Sequence, residues 1–354
     1  MRVSDFTYEL PENLIAQHPP KERGASRLLV KDKSNGDVEH RSYADMVEYL
    51  NPGDVVVLND TRVIKARLLA KNTKGQSREL LLLEDHHSLD AYTRKVLYRG
   101  KLRQGEILKI ADNEVTVEAV LDGGITKISS TLPLLSLAEH VGTVPLPPYM
   151  HREATLEDIQ RYQTVFAREP GSVAAPTASL NFTKDLEYEL RAKGVQIVYL
   201  TLHVGLGTFL PIRSDEIEAH DMHSEHFEIP KETIEIIRKA KLNSSGIVAI
   251  GTTVARTLEY AANNSHLLSL KKDGPFTAFT DSTNVICGEA DIFIYPGYEF
   301  KVIDKLLTNF HAPKSTVLML AAAFASWSNL ESAYQEAIKE KYAFLSYGDS
   351  MLII

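Results

Sequence analysis

Continuous apolar runs alternate with amphipathic segments over most of this chain. Such runs are typical of strands buried on both faces, and they predict strands at residues 54–58, 195–203, 246–250 and 292–295. Helices are predicted between or after them, at residues 183–194, 233–242, 313–326 and 329–341. Strands that alternate with helices indicate βα units, so we expect an α/β fold with a mainly parallel sheet.

A different pattern occupies residues 66–130. Short alternating runs such as ARLLA, RELLLLE, YTRKVLY, EILKIA and VTVEAVL are separated by turn signals at KNTKGQS, RQG, ADN and DGG. This alternation is typical of a small antiparallel barrel or sandwich. At 354 residues the chain is also too long for most single cores. We therefore predict a main α/β domain of residues 1–64 and 150–354, with residues 65–149 inserted as a β domain.

Composition indicates an ordinary globular protein. Hydrophobic residues make up 44% of the chain and charged residues 24%. The lone cysteine, Cys287, excludes an internal disulfide and fits a reducing compartment. The first residues contain no apolar stretch typical of a secretory signal. Because the longest apolar run, residues 316–327, is too short to span a bilayer, we expect a cytoplasmic protein with no membrane partner.

Charge is distributed unevenly along the chain. The net charge of −8 argues at first against a nucleic-acid partner. Residues 62–103, however, contain eleven basic and four acidic side chains, a local charge of +7, and the rest of the chain carries −15. Two interpretations remain open, a solvated face of the β domain or a surface that binds phosphates in a salt-sensitive way.

Polar side chains follow two of the predicted strands. Asp60 and Arg62 come after the first, where open α/β folds place ligand-binding loops; the alternative is a turn with an Asp cap and a surface arginine. His203 closes the second strand and is either a candidate acid or base, a role that histidine often has, or a buried structural histidine. Gly205 and Gly207 follow it and would let a ligand approach the backbone.

A polar turn, Gly251-Thr252-Thr253, precedes a predicted helix that carries Arg256. N–H groups at a helix start bind carboxylates or other anions; a capped helix without a ligand is the alternative. Three histidines recur nearby at intervals of three, namely His220, His223 and His226. Side chains at this spacing do not stay on one face of a helix, and no cysteine completes a tetrahedral set of metal ligands. We therefore predict no metal site.

Residues 162–186 are the most specific part of the sequence. The segment YQTVFAREPGSVAAPTASLNFTKDL is rich in small and turn-forming residues. It resembles the YQTVYA-EPG-VAAPTAGLHFT signature of the S-adenosylmethionine:tRNA ribosyltransferase-isomerases, enzymes of queuosine biosynthesis. The resemblance runs from MRVSDFTYELPENLIAQHP to the last residues and is weakest in the basic insert. Other matching strings are LNDTRVIKARL, TLHVGLGTF, HDMHSE, GTTVARTLE, FIYPGYEFKVIDKLLTNFHAPKSTVLMLAAAFA and SYGDSMLI.

This resemblance implies both a fold and a reaction. The family's fold is a barrel-like α/β main domain with an inserted small antiparallel β-barrel. Its members transfer and isomerise the ribosyl part of S-adenosylmethionine onto 7-aminomethyl-7-deazaguanine at the wobble position of a tRNA. The products are epoxyqueuosine, adenine and methionine. The implied partners are a tRNA with a GUN anticodon and S-adenosylmethionine as co-substrate, with no other cofactor, and we expect a monomer.

The resemblance also implies candidate site residues. The proposed route begins with proton abstraction beside the sulfonium, and the candidate bases are Asp60, His203 and Glu225. Arg62 is expected to hold the methionine carboxylate or a tRNA phosphate. The other expected substrate-binding residues are Thr177, Asn181, Gly205, Gly207, His223, Thr252, Thr253, Arg256, Tyr295, Tyr298, Asn309, His311 and Lys314. Contacts to tRNA are expected from Arg94, Lys95, Arg99, Lys101 and Arg103.

The chain departs from the family strings at several positions. Ser179 and Asn181 stand where APTAGLHFT has Gly and His, Val254 stands where GTTSVRTLE has Ser, and Lys65 replaces a proline. An asparagine amide cannot take a proton at neutral pH. Asn181 therefore leaves open an altered transfer or a non-catalytic tRNA- or nucleotide-binding paralogue. An ordinary methyltransferase would need a glycine-rich loop after the first strand, which this sequence lacks.

Overall fold

Strands and helices alternate through the residues that this computed structural model describes, which are 1–83, 90–205, 207, 212, 214–264 and 284–354. In chain order the strands are β1 (Arg27–Lys31), β2 (Val38–Ser42), β3 (Val55–Asn59), β4 (Thr61–Val63), β5 (Arg67–Asn72), β6 (Ser77–Leu82), β7 (Thr93–Arg99), β8 (Ile107–Ile110), β9 (Asn113–Val120), β10 (Ile125–Ser130), β11 (Glu169–Ser172), β12 (Gln196–Leu202), β13 (Glu225–Pro230), β14 (Ile247–Ile250), β15 (Val285–Ala290), β16 (Lys305–Asn309) and β17 (Ser350–Ile353). The α-helices are α1 (Leu134–Val141), α2 (Leu156–Arg161), α3 (Lys184–Ala192), α4 (Lys231–Leu242), α5 (Thr252–Asn264), α6 (Thr316–Ala325) and α7 (Trp327–Lys339). None of these helices is long and apolar enough to cross a membrane.

Nine strands form one large mixed sheet, in the order β15-β13-β12-β3-β14-β16-β17-β1-β2. Its central strands β12, β3, β14 and β16 are parallel. Four outer pairings are antiparallel: β13 with β12, β15 with β13, β17 with β16 and β2 with β1. The α/β class is confirmed, whereas only half of the eight pairings meet the expectation of a mainly parallel sheet, namely the three central ones and that of β17 with β1. Because the four central strands share one direction, the residues after their carboxyl ends lie at one edge of the sheet.

The sheet is covered on both faces, because its central strands present apolar side chains alternately to two cores. In β3, Val55 and Val57 pack on the face that α4 to α7 cover. Val56 and Leu58 pack on the opposite face, with α3 and the 3-10 helix Tyr43–Tyr49. This two-sided burial explains why a continuous apolar run, without alternation, predicted the strand.

A closed barrel of six antiparallel strands lies within residues 67–130, in the order β10-β7-β6-β5-β8-β9. The predicted small antiparallel β-barrel is therefore confirmed. Alternate residues of its strands, such as Leu68 and Ala70 in β5 and Val115 and Val117 in β9, fill its core. Five strands coincide with the alternating runs of the sequence, and β10 was missed. The domain boundaries at residues 65 and 149 remain predictions.

Residues 292–295 do not form the predicted strand. They follow β15, belong to no strand, and lead into a turn at Pro296 and Gly297. Ile294 is buried in the main core. The apolar character of this segment therefore reflects packing against the core, without strand pairing. The strand that the sequence analysis missed nearby is β16.

The helix predicted at 313–326 begins at Thr316, so Pro313 is not its first residue. Lys314 has a φ of 58°, in the left-handed region that a right-handed helix cannot include. Ser315 caps the helix by accepting a hydrogen bond from the Leu318 N–H at 3.2 Å. The other predicted helices occur as α3, α4 and α7, with ends shifted by no more than two residues.

Candidate active site

A cleft opens at the edge of the sheet where β14 and β16 end. Its empty volume, including the part open to solvent, is about 780 Å³. We call this space the central cleft. Its lining residues are Tyr149, Tyr162, Ala174, Ala175, Pro176, Thr177, Ala178, Val204, Gly251, Thr252, Thr253, Thr308, Asn309, His311, Ala312, Ser315, Val317, Leu345 and Ser346.

Small residues form the wall of the cleft at 174–178, and they allow neighbouring segments to come close. The Thr177 hydroxyl donates to Asn309 Oδ1 at 2.7 Å. The buried Tyr43 hydroxyl donates to the Ala178 carbonyl at 2.7 Å. A Cβ at Gly251, whose φ is +99°, would lie 3.7 Å from the Ala178 Cβ. The small residues therefore keep this part of the cleft open.

His311 contributes an uncharged imidazole to the central cleft. Burial lowers the pKa of His311 from its usual 6.5 to about 3. Its Nε2 lies 2.8 Å from the Thr308 hydroxyl, and its backbone N–H donates to the Tyr334 hydroxyl at 2.8 Å. At neutral pH the ring is thus a hydrogen-bonding group and carries no charge.

A second space, which we call the side cavity, adjoins the central cleft. Its empty volume is about 410 Å³. Thr252, Thr253 and Val317 line both spaces. The other residues that line the side cavity are Met222, Glu225, Arg256, Ile292, Phe293, Ile294, Thr316 and Leu320. The structure therefore brings seven predicted site residues together around two adjoining spaces: Thr177, Glu225, Thr252, Thr253, Arg256, Asn309 and His311.

Glu225 and Arg256 form a buried ion pair in the wall of the side cavity. Arg256 Nη1 donates to Glu225 Oε2 at 2.5 Å, and the Gly205 N–H donates to Oε1 at 2.9 Å. His223 Nε2 lies 3.3 Å from the same Oε1. Burial by itself would raise the pKa of Glu225, but Arg256, His223 and the Gly205 N–H together outweigh burial and lower the pKa. Glu225 is therefore a carboxylate at neutral pH.

Asp60 and His203 lie at the same edge of the sheet but line neither space. Asp60 accepts a hydrogen bond from Arg168 Nε at 3.1 Å. His203 Nδ1 lies 2.8 Å from the Thr61 hydroxyl, and its ring is stacked on His226 with the ring centroids 6.3 Å apart. Both side chains thus connect neighbouring segments beneath the cleft.

Several expected substrate-binding residues lie outside both spaces. Asn181 is buried, and its Nδ2 donates to the Gly348 carbonyl at 3.4 Å. The Tyr298 hydroxyl donates to the buried carboxylate of Glu259 at 3.0 Å. The remaining ones that line neither space are Arg62, Gly205, Gly207, His223, Tyr295 and Lys314.

Gly207 is required by its close packing against His223. A Cβ at Gly207 would come within 2.1 Å of the His223 ring, so no larger residue fits without displacing it. The structure therefore accounts for this glycine without a ligand. Leu206, Thr208 and Phe209, which belong to the same sequence string, lie outside the described residues.

Sequence analysis missed five polar residues of the central cleft: Tyr149, Tyr162, Thr308, Ser315 and Ser346. The Tyr149 hydroxyl lies 2.5 Å from Ser346 Oγ, and burial raises the pKa of Tyr149 to about 12. Tyr162 and Ser346 begin the strings YQTV and SYGD, which match the family, so those matches could have indicated both residues. Tyr149 lies in neither string and had no such signal.

Comparison with known proteins covers the whole chain. A family model described as "Queuosine biosynthesis protein" matches residues 3–353. This chain belongs to that family. Relatives named S-adenosylmethionine:tRNA ribosyltransferase-isomerase, from Pelodictyon phaeoclathratiforme and Chlorobaculum parvum, are 53% and 52% identical to it. Both alignments cover 100% of this chain and 100% of the relative.

A solved structure supports the fold of this queuosine biosynthesis protein. The crystal structure of an S-adenosylmethionine tRNA ribosyltransferase from Thermotoga maritima is 35% identical in sequence, with a TM-score of 0.55. The match covers 99% of this chain and 100% of that chain. The resemblance found in the sequence is therefore confirmed, and the enzyme class is transferase.

The barrel of this queuosine biosynthesis protein carries a basic surface. Four of the predicted tRNA contacts are exposed, namely Lys95, Arg99, Lys101 and Arg103. Arg94 is half-buried, and its Nε donates to the Leu83 carbonyl at 2.9 Å. Lys95 on β7 is directly opposite Lys127 on β10, which sequence analysis missed. Like charges in that position repel each other, so an anion placed between them would be favoured.

Proposed function

We propose that this protein transfers and isomerises the ribosyl moiety of S-adenosylmethionine onto 7-aminomethyl-7-deazaguanine at the wobble position of a tRNA with a GUN anticodon. The products are epoxyqueuosine-tRNA, adenine and methionine. Family membership along the whole chain supports the reaction type. We expect the enzyme to act as a cytoplasmic monomer, with S-adenosylmethionine as co-substrate and no other cofactor.

The observation that carries this proposal is the pair of adjoining spaces at the carboxyl edge of the sheet. S-adenosylmethionine has a nucleoside at one end and an amino acid at the other, joined at the sulfonium. A central cleft and a side cavity that share Thr252, Thr253 and Val317 in their walls match a ligand with two ends. Tyr149 and the uncharged His311 of the central cleft suit a nucleoside, because they provide aromatic rings and hydrogen-bonding groups.

The chemistry needs a base near the sulfonium, since removal of a neighbouring proton gives an ylide that the positive charge stabilises. Of the three predicted bases, Glu225 alone lines one of the two spaces. It is ionised at neutral pH because its pKa is lowered. We therefore assign proton abstraction to Glu225. We assign Asp60 and His203 positioning roles, because their hydrogen bonds connect the loops that follow β3 and β12.

The tRNA is proposed to contact the barrel. A base in a loop can be splayed from its neighbours and enter a cleft, while cations hold the phosphates on either side of it. The exposed side chains of Lys95, Arg99, Lys101 and Arg103 supply such cations. The net charge of the whole protein is −8, so this local surface would decide where an RNA binds.

Release of adenine and methionine from S-adenosylmethionine tests the function. The purified protein is incubated with and without tRNA that carries 7-aminomethyl-7-deazaguanine, and both products are quantified. We expect tRNA-dependent release of both, abolished in Glu225→Gln and retained in part in Asp60→Asn. Salt-sensitive tRNA binding without release would instead identify a non-catalytic paralogue.

A further inference from the structure

The side cavity has one polar end and one apolar wall. Arg256, Thr252 and Thr253 form the polar end. The apolar wall consists of Met222, Ile292, Phe293, Ile294, Val317 and Leu320. A ligand that matches this surface has a short apolar chain with a polar head group at its end.

Arg256 is fixed at the polar end before any ligand arrives. Its side chain is only 9% exposed. Nη1 donates to Glu225 at 2.5 Å, and Nη2 donates to the carbonyls of His223 at 2.8 Å and Ala290 at 2.7 Å. Its Nε has no hydrogen-bond partner among the described residues. A buried N–H without a partner is unfavourable, so an acceptor atom on a ligand in the side cavity would be stabilised there.

Helix α5 begins at the same end of the side cavity. Thr252 and Thr253 are its first two residues, and α5 has thirteen residues. The free N–H groups and the dipole at a helix start attract negative charge. The Thr253 hydroxyl is also buried without a partner in the described part of the chain. A carboxylate has two oxygens that accept several hydrogen bonds at once, so it would satisfy these donors together with Arg256 Nε.

We propose that the side cavity binds the methionine end of S-adenosylmethionine. The carboxylate lies at the polar end, and the carbon chain leading to sulfur lies along the apolar wall. This assignment rests on the function proposed above. It places the sulfonium at the apolar part of the boundary between the two spaces, beside Val317, and the nucleoside in the central cleft.

Binding of three small molecules tests whether the side cavity recognises the methionine end, and it does not require catalysis. L-methionine has the full head group and chain, L-norleucine replaces sulfur with a methylene, and L-methioninol lacks the carboxylate. Their Kd values are measured with the full-length protein by calorimetry. We expect L-norleucine to bind within about threefold of L-methionine and L-methioninol to bind at least about tenfold more weakly, because it cannot accept from Arg256 and α5.

Two cavity-filling variants locate the binding site. Ile292 is half-buried and lines only the side cavity, and Ala312 is half-buried and lines only the central cleft. We expect Ile292→Trp to raise the Kd of L-methionine and the KM for S-adenosylmethionine at least about tenfold, while adenine binding is unchanged. Ala312→Leu should weaken adenine binding and leave L-methionine binding unchanged. Thermal unfolding of both variants verifies that they are folded.

The outcomes separate this assignment from the proposed function. The assignment is overturned if Ala312→Leu weakens L-methionine binding and Ile292→Trp does not, because the methionine end then lies in the central cleft. It is also overturned if the wild-type protein binds no L-methionine at millimolar concentration, or if L-methioninol binds as tightly as L-methionine. Failure of the proposed function has a different result, in which no adenine is released from S-adenosylmethionine while L-methionine still binds and responds to Ile292→Trp.

Discussion

The guanidinium of Arg168 donates to the buried carboxylate of Asp60 across 108 positions of the chain, with Nε 3.1 Å from Oδ2. The Thr201 hydroxyl donates to the other carboxylate oxygen at 2.7 Å. Arg168 also lies over the ring of Tyr199, 5.1 Å from its centroid. Asp60 thus connects the residues after β3, the start of β11 and the end of β12. Both oxygens of this carboxylate, one of the three predicted bases, therefore accept hydrogen bonds from residues of other segments at the carboxyl edge of the sheet.

Replacement of Arg168 tests this structural role. Arg168→Met leaves a buried carboxylate without its cation, which is unfavourable. Because the Arg168 side chain is 60% exposed, water compensates in part, and we expect a loss of about 1–2 kcal/mol in the free energy of unfolding. Urea denaturation measures it. Lys184→Met, which removes an exposed partner of Glu187 at 3.1 Å, is the matched control and should cost less than about 0.5 kcal/mol. Equal losses in both variants would show that the Asp60 pair contributes no more than a surface pair.

The fold was predictable where burial alone determines the structure. All residues of β3 are buried, and its continuous apolar run was sufficient to predict the strand. Residues 292–295 are similarly apolar, but they pack on the core without pairing, a difference that composition does not reveal. The start of α6 depends on the left-handed backbone of Lys314, which no sequence pattern signalled. The direction of the outer strands depends on connections made by distant parts of the chain.

Asn181 allows a second prediction, because it stands where the family string has histidine. Its side chain lies outside both spaces and donates to the Gly348 carbonyl. We therefore expect Asn181→His to change kcat by less than about threefold, roughly 0.7 kcal/mol in activation free energy. Asn181→Leu should lower stability by about 1–3 kcal/mol, since it leaves that carbonyl without its donor. Adenine release and urea denaturation measure the two effects. A tenfold gain in kcat for Asn181→His would show that an imidazole at this position takes part in the chemistry.

The candidate site was predictable only in part, because some of its contacts join residues that lie far apart in the chain. Thr252 was indicated by the polar turn between a predicted strand and a predicted helix, whereas Asn309 and His311 were indicated only by the resemblance to the family string. The contact of Tyr149 with Ser346 joins residues 197 positions apart. Pairings at that separation arise from tertiary packing, and one sequence does not contain them in any local pattern.

The pKa of His311 predicts acid sensitivity. Its folded value is lowered to about 3 from the usual 6.5, so below about pH 6.5 the unfolded chain binds a proton that the folded protein does not. The stability due to neutral His311 is therefore complete above pH 6.5 and is lost as pH falls towards 3. Between pH 6.5 and 5 we expect the wild type to lose about 1–2 kcal/mol more than His311→Gln. Denaturation at each pH measures this, and parallel curves for the two proteins would contradict it.

The opposed lysines of the barrel give the last prediction. Lys95 is directly opposite Lys127 across β7 and β10, and Lys71 is opposite Lys109 across β5 and β8. The two pairs are alike in charge and exposure, but only the first includes a predicted tRNA contact. If tRNA binds there, the double variant Lys95→Ala/Lys127→Ala should bind tRNA more weakly and reduce the slope of log K against log salt by roughly 0.7–0.9 for each phosphate that the protein no longer neutralises. Lys71→Ala/Lys109→Ala should leave that slope unchanged. Equal effects of both double variants would mean that the RNA responds to the overall charge of the barrel, and an effect of the second alone would place the tRNA on β5 and β8.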